Sequence, residues 1–173
     1  EYMGEDPFLV SQMVVPVIKG IQENDVAACV KHYALNNQEY DRFKVNVEVD
    51  ERTLREIYLP GFEAAIKDGG ALTIMSAYNK FRGRYCSENE YLLNTILKQE
   101  WGFEGVVISD WNGTHSTKGA ALGGLDIEMG TDQDDYDDYY FADALKESVQ
   151  RGDIAEEVIN AGSVFIGDYT PES

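Results

Sequence analysis

The sequence predicts an α/β fold, and more narrowly part, roughly the later half, of a (β/α)8 TIM-like barrel. Three observations carry that expectation. Short, near-continuous apolar strands alternate with amphipathic helices, the mark of a parallel sheet covered on both faces. Polar residues collect directly behind the strands: Lys31 and His32; Ser76, Tyr78 and Asn79; Ser109, Asp110 and Trp111; Asp126 and Glu128. Barrels and doubly wound sheets build their sites there. Finally, four strand signals fall within 173 residues, about half of a barrel that takes roughly 250 residues. Half a barrel leaves two open edges and an uncovered core, so the expectation is a piece that needs its remainder.

The elements follow in order. Residues 26–33 read as the first strand. Asp50 is an N-cap for a helix from about Glu51 to Lys67. Leu54, Ile57, Tyr58, Phe62, Ala65 and Ile66 recur along it at helical spacing, and Gly69-Gly70 ends it. Residues 71–77 form a buried strand. Ser87, Glu88, Asn89 and Glu90 match a capping box ahead of an apolar stripe of Tyr91, Leu92, Leu93, Ile96 and Leu97. Residues 105–109 make a clean strand that runs into Asp110. A short helix over about 117–122 precedes a weaker strand at 125–129, then helices over about 139–150 and from near Ile154. No repeat, low-complexity tract or Pro/Gly/Ser linker interrupts the pattern, so one domain or part of one is expected.

Composition narrows the partners. With 14 Lys+Arg against 32 Asp+Glu the net charge is −18, which argues against nucleic acid and against anionic membrane surfaces, both of which need a basic footprint. No run approaches the roughly 18 apolar residues of a membrane span. At 43% hydrophobic and 12% aromatic the chain is too apolar for a disordered acidic tail. Cys29, inside the apolar run 26–30, reads as a small buried hydrophobe. A Cys29–Cys86 pairing stays open, since no framework spacing decides it.

Asp110 is the leading candidate for chemistry. A carboxylate at the tip of a buried strand, followed by Trp111, is poorly explained by packing; its plainer role is an N-cap for the segment after Asn112. Beside an aromatic platform, it suits a nucleophile or a stabiliser of positive charge on a sugar ring. Lys31 and His32 end another strand. A core histidine with a solvated lysine is the bland reading, whereas beside an Asp site both could donate to ligand hydroxyls and the lysine would keep a carboxylate ionised. Arg42 closes the polar stretch 36–41, and Tyr78 could bring a phenol to a reacting centre or simply pack. The acidic loop 132–138 resembles a calcium loop only loosely, lacking the glycine and final glutamate, and reads as solvated. Residues 119–124 lack the Lys-Ser/Thr ending of a phosphate loop. The sequon at Asn112 abuts the candidate site, where a glycan would block access.

Together these stretches resemble glycoside hydrolase family 3, in its β-glucosidase branch. The resemblance rests on residues 4–7, 31–33, 36–39, 52–60, 75–79, 87–93, 101–105 and 107–111, and spans about residues 1–165. It implies a retaining β-glycosidase that hydrolyses terminal β-D-glucosyl residues through a covalent glycosyl-enzyme, with no metal or organic cofactor. Asp110 matches the nucleophile and Trp111 the glycone-pocket aromatic. Lys31, His32 and Arg42 match the residues that hold glucose hydroxyls, and Met75 and Tyr78 match the pocket wall. The N-acetylglucosaminidase branch would carry a Pro-Gly-His-Gly-type loop where residues 34–37 read Ala-Leu-Asn-Asn; xylosidase-type members stay open.

Two departures accompany the resemblance. Arg82 stands where asparagine is common. More important, retention needs two carboxyls about 5–5.5 Å apart. The family's acid/base glutamate usually lies on a second, α/β sandwich domain that nothing here resembles. The expected partners are therefore a β-glucoside or short β-gluco-oligosaccharide and the remaining segments of the same enzyme as companion chains. A sugar-binding module without turnover is one rival. A metal-dependent barrel lyase using Asp110, Asp126 and Glu128 is another.

Overall fold

The computed structural model describes residues 3–130 and 138–160. Its first element is a helix that the periodicity does not announce, α1 (Pro7–Gln22), capped by the Asp6 carboxylate accepting from the Phe8 and Leu9 amides. Pro16 and Gly20 punctuate the segment, and apolar residues lie on both sides of it. Ile18 is buried while Leu9, Met13, Val17 and Ile21 are exposed, so no one-sided stripe marks it as amphipathic.

Three strands form the main sheet in the order β1 (Cys29–Tyr33), β3 (Thr73–Ser76) and β6 (Val106–Ser109), all parallel. The expected fourth strand at 125–129 is reduced to one parallel bridge, Ile108 to Ile127. Crossovers between parallel strands require intervening helices. The first connection holds α2 (Glu51–Thr53) and α3 (Pro60–Lys67), joined by the wider turns of Leu54–Tyr58. The single helix predicted over 51–67 is thus broken into pieces, because Pro60 cannot donate within a continuing ladder. Asp50 does cap it, accepting from the Thr53 amide at 3.0 Å. The second connection is the π-type helix Tyr91–Glu100, and α4 (Thr117–Gly123) and α5 (Asp143–Gln150) follow β6. Residues 139–142 precede α5 rather than belonging to it, and residues 156–160 are helical.

The core lies between the sheet and these helices. Tyr33, Leu54, Ile74, Leu92, Leu93, Ile96, Leu97 and Val107 have essentially no exposure. Each large side chain so buried contributes about 1.5–3 kcal/mol. Tyr33 ties the layers together, its hydroxyl donating to the Leu92 carbonyl at 2.9 Å. Gly105 opens β6 where only glycine fits, since a Cβ would lie 2.2 Å from the Leu72 carbonyl oxygen.

A second, smaller sheet sits beyond the end of β3. In it β2 (Asn46–Val47) runs parallel to β4 (Lys80–Phe81), which turns back into β5 (Arg84–Tyr85). Two-residue strands paired across 34 positions leave no periodic trace in the sequence.

Three further expectations change. Ser87 does not cap the helix after it. A short 3-10 turn (Cys86–Glu88) intervenes, and Asn89 is the cap, its Oδ1 accepting from the Leu92 amide. Cys29 is exposed rather than buried, being at the start of the edge strand β1, and Cys29 and Cys86 are both free thiols. The acidic loop at 132–137 lies outside the described residues. No helix among the described residues is long and apolar enough to cross a membrane.

Candidate active site

Side-chain alternation along the parallel strands separates two faces. Tyr33, Ser76 and Ser109 are level in register and buried beneath the helices. The residues between them, Met75 and its partner Ile108, are only half-buried and look the other way, and Asp110 follows two positions beyond Ile108 on that face. Between Val30 and Tyr33 the register of β1 against β3 shifts, two residues, Lys31 and His32, opposing the single Met75. A bulge of this kind re-aims the side chain it carries, and the one carried here is His32. The Lys31–His32 and Tyr33–Ala34 peptides are cis.

Asp110 is buried, with 7% of its surface exposed, and its carboxylate is held from three sides. Oδ1 accepts from the Trp111 amide at 2.8 Å, and Oδ2 lies 3.4 Å from His32 Nε2. The Tyr78 phenol stands beside the same carboxylate and feels its charge. Burial, with the Asp110 charge and hydrogen bond added, pushes the Tyr78 phenol up to about 12, so it stays protonated, and therefore a donor, throughout the neutral range. Arg42 completes the cluster from the loop after β1. Its guanidinium carbon stands 4.4 Å from the Tyr78 ring centroid while Nη1 pairs with Glu39 at 2.6 Å.

His32, Arg42, Tyr78 and Asp110, each proposed from sequence, thus come together. Met75 shares their sheet face. Lys31 is exposed in β1 beside His32. Trp111 is 54% exposed, its ring edge against Gly130, where a Cβ would come within 2.8 Å.

Asp126 and Glu128, the other carboxylates of the metal reading, are engaged elsewhere. Asp126 Oδ1 pairs with Lys98 at 2.8 Å and Oδ2 accepts from the Val107 amide. Glu128 accepts from the Phe141 amide at 2.7 Å, and burial raises its carboxyl above the usual range. Among the described residues no cluster of three His, Cys, Asp or Glu side chains is placed to hold a metal. Arg82 reaches the Val49 carbonyl and Glu51 instead of the Asp110 cluster.

Sequence reasoning missed three contributors. Phe43 packs on Tyr78 with ring centroids 4.4 Å apart; its adjacency to Arg42 was the available signal. Ser87 donates to the Gly113 carbonyl at 2.5 Å, and nothing local foretells that partner. His115 stacks flat on Tyr85, whose ring centroid is 4.7 Å from the Lys80 ammonium. Burial, then Lys80, lowers the His115 pKa.

Comparison with known proteins gives this geometry a context. The model of the glycosyl hydrolase family 3 N-terminal domain matches residues 1–166. The β-glucosidase BoGH3A of Bacteroides ovatus is 51% identical over 168 residues, 92% of this chain and 22% of the relative. An exo-α-(1→6)-L-arabinopyranosidase of Bifidobacterium breve is 42% identical over 129 residues, 75% of this chain and 17% of the relative. The solved β-glucosidase 3B of Thermotoga neapolitana, in complex with glycerol, superposes with a TM-score of 0.85 at 41% identity, covering 93% of this chain and 23% of that one. The chain therefore spans about a fifth of the length of the curated relatives it matches. The strand–helix expectation holds, and the described sheet and helices are part of a TIM-like barrel.

Proposed function

This chain belongs to glycosyl hydrolase family 3, and from that premise we propose that it is the nucleophile-bearing part of a retaining β-glucosidase. Residues 1–173 are the later portion of the barrel domain, and a second α/β sandwich domain lies outside them. The observation that carries the reading is the buried Asp110 carboxylate at the end of β6, held by a phenol, an imidazole and an amide.

In this reading Asp110 attacks the anomeric carbon of a terminal β-D-glucoside and forms a glycosyl ester, expelling the aglycone. The Trp111 amide fixes the carboxylate, with His32 and Tyr78 beside it, so little reorganisation precedes attack. Tyr78 remains a neutral donor as the carboxylate loses its charge on forming the ester, and the departing oxygen takes its proton from the acid/base. Arg42, laid on the Tyr78 ring, and Lys31 and His32 on β1 offer hydrogen bonds to the sugar hydroxyls, with Met75 as pocket wall. Trp111 presents its exposed face to the apolar C–H side of the pyranose. The acid/base is assigned to a segment outside this chain, as the family resemblance implies. The chemistry asks for no metal or organic cofactor.

A 2-deoxy-2-fluoroglucoside with a good leaving group tests this directly. The complete enzyme should be inactivated, and the mass of one glycosyl residue should appear on the peptide containing Asp110. Label on any other residue would refute the assignment. The arabinopyranosidase relative favours a pentopyranosidase, the xylosidase-type branch included, as a second reading. Rates on aryl β-D-glucoside, β-D-xyloside and α-L-arabinopyranoside, measured side by side, decide between the two.

A further inference from the structure

Ser87 is fully buried and spends its hydroxyl far from its own helix, donating to the Gly113 carbonyl 26 positions away. Gly113 in turn donates its amide to the Asp110 carbonyl at 2.9 Å, closing a four-residue turn in which Asn112 takes the left-handed conformation (φ 59°). The turn has no slack on its inner side, since a Cβ on Gly113 would lie 2.9 Å from that same Asp110 oxygen. Ser87 therefore grips the back of the turn whose front carries the candidate nucleophile.

The same segment also reaches the front. Tyr78, whose phenol stands beside the Asp110 carboxylate, precedes the β4–β5 hairpin, and Ser87 follows it. The hairpin is braced at its base: the Cys86 amide donates to the Asn79 carbonyl at 3.0 Å and the Asn89 side chain donates to the Phe81 carbonyl at 2.9 Å. Tyr78 and Ser87 are thus two ends of one rigid unit, and together with Asp110 and Gly113 they close a ring of contacts.

On the reading that Asp110 is the nucleophile, we infer that Ser87 is a positioning residue. By holding the Asp110–Gly113 turn against the hairpin, it sets the spacing between the Tyr78 hydroxyl and the Asp110 carboxylate. It acts through the backbone and touches neither sugar nor reacting atoms.

The test uses the complete enzyme that carries this segment, with an aryl β-D-glucoside as substrate and kcat referred to active sites titrated with the fluoroglucoside, so that misfolded protein does not count. Ser87→Ala should lower kcat about tenfold, the worth of one buried hydrogen bond, while KM changes by less than about twofold. Ser87→Cys keeps the size with a weaker donor and should fall between Ser87→Ala and the parent. In a Tyr78→Phe background, where the spacing no longer matters, Ser87→Ala should cost less than about threefold. A hydroxyl that merely packs would cost the same factor in both backgrounds. An equal factor, or an unchanged kcat in Ser87→Ala, overturns the inference. Asp110→Asn, run alongside, keeps the two questions apart. If it is inactive while Ser87→Ala is unaffected, only the positioning role falls; if it is active, the reading beneath falls as well.

Discussion

Asp110→Asn separates chemistry from scaffolding at this site, because the amide nearly reproduces the shape of the carboxylate. Its oxygen can keep the Trp111 amide bond now at 2.8 Å, and its NH2 then occupies the position facing His32 Nε2, 3.4 Å away, and the Tyr78 hydroxyl. The imidazole nitrogen and the phenol oxygen can each accept. The amide gives up one charge-assisted pair and the charged character of the phenol bond, each worth about 1–3 kcal/mol when desolvated, and neutral bonds replace both. The net stability change should be within about 1 kcal/mol, a shift of no more than about 2–4 °C in the melting transition. The rate should behave differently. An amide cannot form the glycosyl ester, and loss of a nucleophile that no other group replaces removes about 10⁴-fold or more, equivalent to about 5.4 kcal/mol of barrier. The assay is hydrolysis of p-nitrophenyl β-D-glucoside by the complete enzyme, with circular dichroism melts of parent and variant. Retention of more than about 1% of parental activity, beyond what a single mispositioned group accounts for, would refute Asp110 as nucleophile. Lost activity accompanied by a collapsed melt would instead mean that the carboxylate serves the fold.

Further outcomes follow from the same geometry. Gly113→Ala puts a methyl 2.9 Å from the Asp110 carbonyl oxygen; backbone must move, and a displaced nucleophile should lose about 10- to 100-fold in kcat with substrate binding largely kept. Tyr33→Phe leaves the Leu92 carbonyl buried without its donor and should cost about 1–3 kcal/mol, read by denaturant unfolding. The Tyr78 phenol, raised from 10.0 to about 12 in the fold, contributes stability that is fully present below pH 10. That contribution should fade as pH climbs from about 10 to about 12, and melts of Tyr78→Phe should show a shallower alkaline decline over that window.

The candidate site was largely legible because its residues obey local rules. A strand buried on both faces must be largely apolar, so the first polar residues past it stand out, and Tyr78 and Asp110 were found in this way, while His32 was marked by the polar pair it forms with Lys31 near the end of β1. The helix cap at Asp50 and the apolar stripe Leu92, Leu93, Ile96 and Leu97 were legible for the same reason, one residue and its near neighbours being enough. Where a residue's partner is remote, the local pattern pointed elsewhere. Ser87 has the sequence context of a cap but bonds Gly113, and Cys29 sits in an apolar run but is exposed on an edge strand. Helix α1 escaped notice because Pro16 and Gly20 interrupt a segment that is apolar all round.

Spacing and solvation along a few consecutive residues were therefore enough to establish where the three strands of the main sheet lie, that they run parallel, and which side chains stand near their ends. Other features exist only in three dimensions: Arg42 lies on Tyr78, a bulge in β1 re-aims His32 toward Asp110, and Ser87 braces the turn behind it. These contacts join residues between 26 and 78 positions apart, or nearer ones presented by different elements. Only the packing of strands and helices against one another brings such groups within hydrogen-bonding distance.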